Sequence, residues 1–253
     1  MKHGIDRAGS RFLVFAHRGY PSMRPENTMP SFELGAKSGA DGIELDARLT
    51  RDGKAVVYHD DDLGRITGRT GPLEKKDWSY LRRLDAGKHF SEKFKDTRIP
   101  ALDEVLEIFS GRLIINIELK PGRPGGRRLA REVIKTARKY SAMDGIIFSS
   151  FDPVVLEWVR KIEPVAIIGL LWEEEHWRKG LKIARRLGAR YFNPSIDLAS
   201  GELAGEASRA GMRCLVYTVN STSECDRLVK SGYGGVFTDV PGKIVRYMRN
   251  FNR

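Results

Sequence analysis

A chain of 253 residues with 41% apolar content can fill a complete core, which excludes a disordered segment and a small disulfide-stapled scaffold. Its 44 Lys and Arg against 33 Asp and Glu leave a net charge of +11, which suits a solvated basic surface or attraction to an anionic substrate, lipid head group or nucleic acid. No nucleic-acid-binding motif accompanies the charge, so nucleic acid is not expected as a partner, and no run approaches the ~18 apolar residues of a membrane span. Cys214 and Cys225 are the only cysteines and form no C-x-x-C; the first residues, Met1 to Arg7, carry no apolar signal-peptide core. A soluble cytoplasmic protein with reduced thiols is expected; its oligomeric state is left open.

In chain order, Arg11–Ala16 reads as a strand. A helix over Thr28–Ser38 follows, opened by a cap at Asn27 or Thr28 and closed by Gly39. Gly42–Arg48 is the second strand, and Ala55–Tyr58 a short extra one ending at His59. The polar, turn-rich stretch Asp60–Pro72 comes next, then Trp78, Tyr80, His89, Phe90 and Phe94, aromatic residues that predict a packed segment. Beyond it strands and helices alternate: Leu102–Phe109 (helix), Leu113–Leu119, Gly126–Lys139 (helix), Gly145–Ser149, Pro153–Lys161 (helix, capped by Asp152) and Val165–Leu171. Glu174–Leu187 (helix), Arg190–Asn193, Gly201–Ala210 (helix, capped by Ser200), Arg213–Thr218, Ser221–Ser231 (helix, capped by Ser221 or Thr222), Gly235–Phe237 and Lys243–Phe251 (helix) complete the series. Eight β-α alternations predict an α/β fold, the TIM (β/α)8 barrel, as a single domain over residues 1–253. A small insertion, about residues 50–112, falls between strands two and three. A doubly wound open sheet competes, but no G-x-G-x-x-G follows the first strand.

In a parallel barrel the strand ends on one side form the active face. Glu44 and Asp46 lie two residues apart on a strand and so share a face, where two carboxylates repel unless a cation sits between them or both reach water. They could equally be exposed loop carboxylates, or partners of Arg48 and Lys120. Glu118, at the end of the next barrel strand, adds a third hard oxygen donor, and the set fits one divalent cation, Mg2+ or Ca2+; zinc would recruit more His or Cys. His17 and His59, each at a strand end, form the natural proton-transfer pair, whereas His3, His89 and His176 read as structural or exposed. Arg18 and Lys120 suit a phosphate, or neutralisation of the carboxylates, or both. Asp60, Asp61 and Asp62 could ligate a metal, but aspartate favours turns and the run reads first as a solvated turn; Cys214 reads as core packing. Ser149 and Ser150 lack the G-x-S-x-G setting of a serine nucleophile.

Phe15-Ala16-His17-Arg18-Gly19, Pro25-Glu26-Asn27-Thr28, Gly39 to Asp46, Thr50-Arg51-Asp52-Gly53 and His59-Asp60 occur in this order. Arg98 to Val105, Asn116-Ile117-Glu118-Leu119-Lys120, Ser149-Ser150-Phe151-Asp152, Asn193-Pro194, Thr218-Val219-Asn220 and Thr238-Asp239 continue it. From about Phe12 to Pro241 the chain resembles the glycerophosphodiester phosphodiesterases. The resemblance implies a TIM barrel and one divalent cation, usually Mg2+ or Ca2+, held by Glu44, Asp46 and Glu118. It implies acid/base roles for His17 and His59, and Arg18 and Lys120 near the phosphate. The implied reaction takes a small glycerophosphodiester to sn-glycerol 3-phosphate and an alcohol, with water or the neighbouring glycerol hydroxyl as nucleophile; the second route passes through a cyclic phosphate. Two departures bear on substrate fit: Arg65-Ile66-Thr67 where members often carry Arg-Thr-Thr, and Tyr217 where they often carry Trp. A lysophospholipase D working transiently at an anionic membrane surface, and a non-catalytic barrel that binds phosphate ligands, are the alternative readings.

Overall fold

The computed structural model describes Ile5, residues 11–122 and residues 126–251; His3 lies outside them. Its strands are β1 (Leu13–Ala16), β2 (Gly42–Leu49), β3 (Ala55–Val57), β4 (Ile114–Leu119), β5 (Ile146–Ser150), β6 (Ile167–Trp172), β7 (Tyr191–Pro194), β8 (Arg213–Val216) and β9 (Gly235–Thr238). They neighbour one another in the order β1-β9-β8-β7-β6-β5-β4-β2, all parallel, and β1 pairs with β2 to close the ring. This is the expected eight-stranded TIM barrel.

Along β2 the side chains alternate as the pleat requires. Ile43, Leu45 and Ala47 pack outward with the helices, while Glu44 and Asp46 take the other face. The base of the lumen is apolar: Leu13, Phe15, Ile147, Tyr191, Leu215 and Phe237 fill it beside Ile5, and the Phe15 and Phe237 rings lie 5.2 Å apart. On the outside, the helix Gly126–Lys139 buries Leu129, Ala130, Val133, Ile134 and Ala137, a stripe of helical period.

Helix starts follow local chemistry, with three departures from expectation. Asp152 accepts from Val154 N–H at 2.8 Å and Ser200 from Leu203 N–H at 3.2 Å, as caps should. Ser221 stands at a helix start, but its hydroxyl pairs with Ser223 instead of the backbone. Neither Asn27 nor Thr28 caps with its side chain: Thr28 donates to Pro25 O at 2.5 Å, and Asn27 reaches Asp46. The helix expected from Glu174 starts at Trp177, because the Glu174 carbonyl accepts from Trp172 Nε1 at 2.8 Å and Trp177 N–H turns back to Glu175 O.

β2 outruns β1, whose last partnered residue on it is Ala16 opposite Ile43. β3 takes the freed edge antiparallel, Ala47 opposite Val57, which brings His59 back over the barrel mouth. The inserted segment builds a small core of its own from Val56, Tyr58, Leu63, Ile66, Leu73, Leu81, Leu84 and Ile99, with Trp78 and Tyr80 packed on it. His89 and Phe90 stay exposed, Phe90 edge-on to Phe94 at 5.7 Å. No helix among the described residues is long and apolar enough to cross a membrane.

Candidate active site

Parallel pairing sets Asp46 directly opposite Glu118, with Glu44 opposite Asn116. One oxygen from each of Glu44, Asp46 and Glu118 lies within 4.8 Å of the others. Glu44 is only 3% exposed and Asp46 1%, so neither is a loop carboxylate open to water. Nor do they pair with Arg48, which hydrogen-bonds the His59 carbonyl at 2.7 and 2.9 Å and pairs with Asp61. Lys120 does reach Asp46, and Glu118 with it: its Nζ is 3.3 Å from Asp46 Oδ1 and 2.6 Å from Glu118 Oε1. Burial, then repulsion from Asp46, pushes Glu118 up to about 7, and the same causes raise Glu44 well above the usual carboxylate range. Burial also acts on Asp46, but the charges of Lys120, Arg18 and His59 and a hydrogen bond from Asn27 win and hold it low. Two buried carboxylates and a third that is partly buried, in mutual repulsion and all hard oxygen donors, fit a divalent cation that takes oxygen ligands.

The turn after β1 aims two further groups at this cluster. Gly19 has φ +93°, and a Cβ there would stand 2.4 Å from Ser31 Oγ and 2.6 Å from the Ser31 carbonyl carbon, so the turn requires glycine. Arg18 N–H thereby donates to Glu44 Oε2 at 2.8 Å. Its guanidinium donates to Glu26 Oε1 at 2.9 Å, and its Nε stands 3.4 Å from Asp46 Oδ2. Burial opposes the charge on Arg18 and on Lys120, yet the carboxylates around them, Asp46 foremost, raise both.

Each histidine gives Nδ1 to a carboxylate at 2.7 Å: His17 to Asp239 and His59 to Asp60. His17 Nε2 then lies 4.0 Å from Glu44 Oε2. Asp239 accepts from Asn220 Nδ2 at 2.8 Å through its other oxygen. Arg65 forks onto both oxygens of Asp60, at 2.6 and 2.9 Å, and both oxygens of Glu26, at 2.9 and 2.8 Å. An unbroken chain therefore runs Arg18–Glu26–Arg65–Asp60–His59. Against burial, Arg65 and His59 pull Asp60 down to about 2, and His17 pulls Asp239 down. Burial lowers His59, with Asp46 resisting.

Sequence reasoning missed Glu26, Asn27, Asp60, Arg65 and Asp239 as parts of this arrangement. Asp60 in particular is not a solvated turn residue but the partner of His59. The only sequence signals were its adjacency to His59, the Pro25-Glu26-Asn27-Thr28 block, and Asp239 at a strand end.

His17, Arg18, Glu44, His59, Glu118 and Lys120 line a cavity of about 250 Å3 together with Phe151, Leu171, Glu173, Tyr217 and Phe237. A neighbouring cleft of about 550 Å3 shares Lys120 but none of the three clustered carboxylates and neither imidazole.

The model of the glycerophosphoryl diester phosphodiesterase family matches residues 17–243. The chain belongs to this family. It is 36% identical over 242 residues to a glycerophosphodiester phosphodiesterase of Caldanaerobacter subterraneus, covering 94% of this chain and 98% of that one. A glycerophosphodiester phosphodiesterase of Bacillus altitudinis is 33% identical, over 92% of this chain and 96% of its own. Among solved structures, a phosphodiesterase of Oleispira antarctica in complex with sn-glycerol-3-phosphate superposes with a TM-score of 0.89 at 28% identity, over 96% and 99% of the two chains. The glycerophosphodiester phosphodiesterase of Thermotoga maritima gives 0.77 at 28% identity, over 93% and 98%. The chain is thus an enzyme, a glycerophosphodiester phosphodiesterase, and its reaction is hydrolysis of a glycerophosphodiester to sn-glycerol 3-phosphate and an alcohol.

Proposed function

We propose that in this phosphodiesterase His17 and His59 move the protons, Arg18 and Lys120 bind the phosphate, and Glu44, Asp46 and Glu118 hold one Mg2+ or Ca2+. The observation that carries this reading is the matched anchoring of the imidazoles, each through Nδ1 to a carboxylate at 2.7 Å beside the buried acidic cluster. A neutral imidazole so anchored keeps its proton on Nδ1 and leaves Nε2 to accept one; a protonated imidazole donates from Nε2. One histidine takes the proton of the attacking hydroxyl, and the other returns one to the leaving alkoxide. Arg18 and Lys120 meet the charge that grows on the phosphate oxygens. A divalent cation held by Glu44, Asp46 and Glu118 would supply positive charge against the phosphate and would lower the pKa of a nearby hydroxyl. The preferred nucleophile is the neighbouring glycerol hydroxyl, giving a cyclic phosphate that is opened in a second step; phosphorus NMR of an early time point would reveal it. The reaction is assigned to the cytoplasm, in keeping with two buried free thiols, Cys214 and Cys225.

The direct test is a hydrolysis assay on glycerophosphocholine after chelation, with Mg2+ or Ca2+ returned separately. Recovery with either ion supports the reading; turnover indifferent to chelation defeats it. A second reading, lysophospholipase D at an anionic membrane, draws on exposed Met23, Phe90 and Phe151, all in segments that follow strand ends of the active face. Faster turnover of a long-chain lysophosphatidylcholine on anionic vesicles than of glycerophosphocholine in solution would favour it.

A further inference from the structure

Glu173 is the one charged residue lining the cavity that the reaction above leaves without a task. It follows directly on β6, exposed, while Trp172 beside it is buried. Its neighbour Glu174 pairs with Lys179 at 3.4 Å; among the described residues the Glu173 carboxylate has no such partner. In the closed ring β6 stands across from β1, with three strands between them on either side. The carboxylate therefore faces the mouth from the side opposite Arg18. Two aromatic rings accompany it. Tyr217 is tied to the same strand end, its hydroxyl donating to Trp172 O at 3.0 Å, and Phe151 meets the Tyr217 ring edge-to-face at 5.7 Å and 84°. Burial, then the charge of Glu173, raises the Tyr217 hydroxyl, so that charge reaches into the aromatic wall.

An unpartnered carboxylate is a poor lining for a cavity that binds a phosphodiester anion, since like charges repel. It becomes favourable when the substrate carries a positive charge at its far end, and aromatic rings add attraction for a cation. We propose that Glu173, Phe151 and Tyr217 form a subsite for the ammonium group of the leaving alcohol, choline or ethanolamine, so that the enzyme selects diesters with a cationic head group over neutral ones. The proposal rests on the reaction and on the placement of the phosphate at Arg18 and Lys120 given above. The bond that breaks is the ordinary one, phosphorus to the oxygen of the amino alcohol, which leaves with one proton; the subsite alters only which alcohol is accepted.

The test compares kcat/KM for glycerophosphocholine and glycerophosphoglycerol in the wild type, Glu173→Gln and Glu173→Asp. The wild type should prefer the choline ester, and the preference should weaken at high salt. In Glu173→Gln the ratio should fall about fivefold, within the tenfold that 1.4 kcal/mol represents for one exposed charge contact; Glu173→Asp should lie between. A ratio that does not move overturns the proposal. So does an equal loss on both diesters, which would place the glycerol end, common to both, against Glu173. If the wild type hydrolyses neither diester, the reaction assigned above fails separately. Calorimetric titration of the same two diesters then reads the subsite, which stands only if Glu173→Gln weakens the choline ester alone.

Discussion

His17 and His59 make the same contact, Nδ1 to a carboxylate oxygen at 2.7 Å, from unlike parts of the molecule. His17 follows β1 and its partner Asp239 follows β9, two strands in register with Ala16 opposite Thr238. Their spacing is inherited from the barrel ladder, and Asn220 completes it. His59 comes from the inserted segment. Its backbone is held by Arg48 on its carbonyl and by Tyr58 N–H on Asp46 O, and its partner Asp60 by Arg65, from the same segment. One imidazole is thus placed by sheet hydrogen bonds. The other relies on an ion network with Arg65 half exposed, which salt screens. Chemically equivalent anchors can therefore differ in how firmly they hold.

The largest expected effect ignores this difference. His17→Ala and His59→Ala should each lower kcat by ~10²–10⁴, and the double variant should be little worse than either, because the two act as a unit. A single variant within threefold of wild-type kcat would remove that histidine from the chemistry. The next effect concerns the carboxylates that both histidines overlook. Folding raises Glu44 and Glu118, so in metal-free protein they add stability below their ordinary value of 4.5 and lose it as pH rises through the raised values, about 7 for Glu118. Chelated protein should melt at lower temperature at pH 8 than at pH 5.5. A divalent ion takes the ionised carboxylates, so its benefit should grow with pH. At about 100 times its Kd it stabilises by about 2.7 kcal/mol, or about 5–10 °C. Melting curves with and without chelator test this, and a gap equal at both pH values would contradict it.

Asp239→Asn and Asp60→Asn separate the two anchors. Each should reduce kcat about tenfold to a hundredfold, the range for losing an orienting carboxylate behind a histidine. Asp60→Asn should show the greater salt sensitivity, since it also releases Arg65. Equal salt dependence in steady-state assays would erase the distinction between barrel and insertion.

These anchors mark where sequence legibility ends. The barrel could be read because buried parallel strands are apolar runs between turn residues, repeated with helices of regular period. Glu44, Asp46 and Glu118 stood out because charges interrupt such runs. The register that sets Asp46 opposite Glu118 leaves no local signature along the chain. Asp239 lies 222 residues from His17, and Glu26 lies 39 from Arg65, so no local pattern joins them. Asp60 has the local pattern of a turn residue, which aspartate favours; its bond to the adjacent imidazole depends on how β3 folds back on β2. Asn27, like Thr28, stands where a helix cap is expected, the ordinary use of such a residue, but its amide donates to Asp46.

Arg65 offers the smallest and most selective break. It is a positioning residue, joined to Asp60 on one side and Glu26 on the other, and through them to His59 and Arg18. Arg65→Gln cannot fork onto both carboxylates, so kcat should fall and KM rise, each about three- to tenfold, as for loss of one partly exposed charged contact. Asp60, freed of the guanidinium, would spend more of its charge on His59 and favour the imidazolium, moving the limb of the pH–rate profile that belongs to His59 upward. The other limb should stay in place, because Asp239 is held by Asn220 and not by this network. Arg65→Lys keeps the charge and loses the fork; it should restore the pH limb while leaving KM high. A pH profile in which Arg65→Gln shifts both limbs, or neither, would mean that the two histidines are not independently anchored.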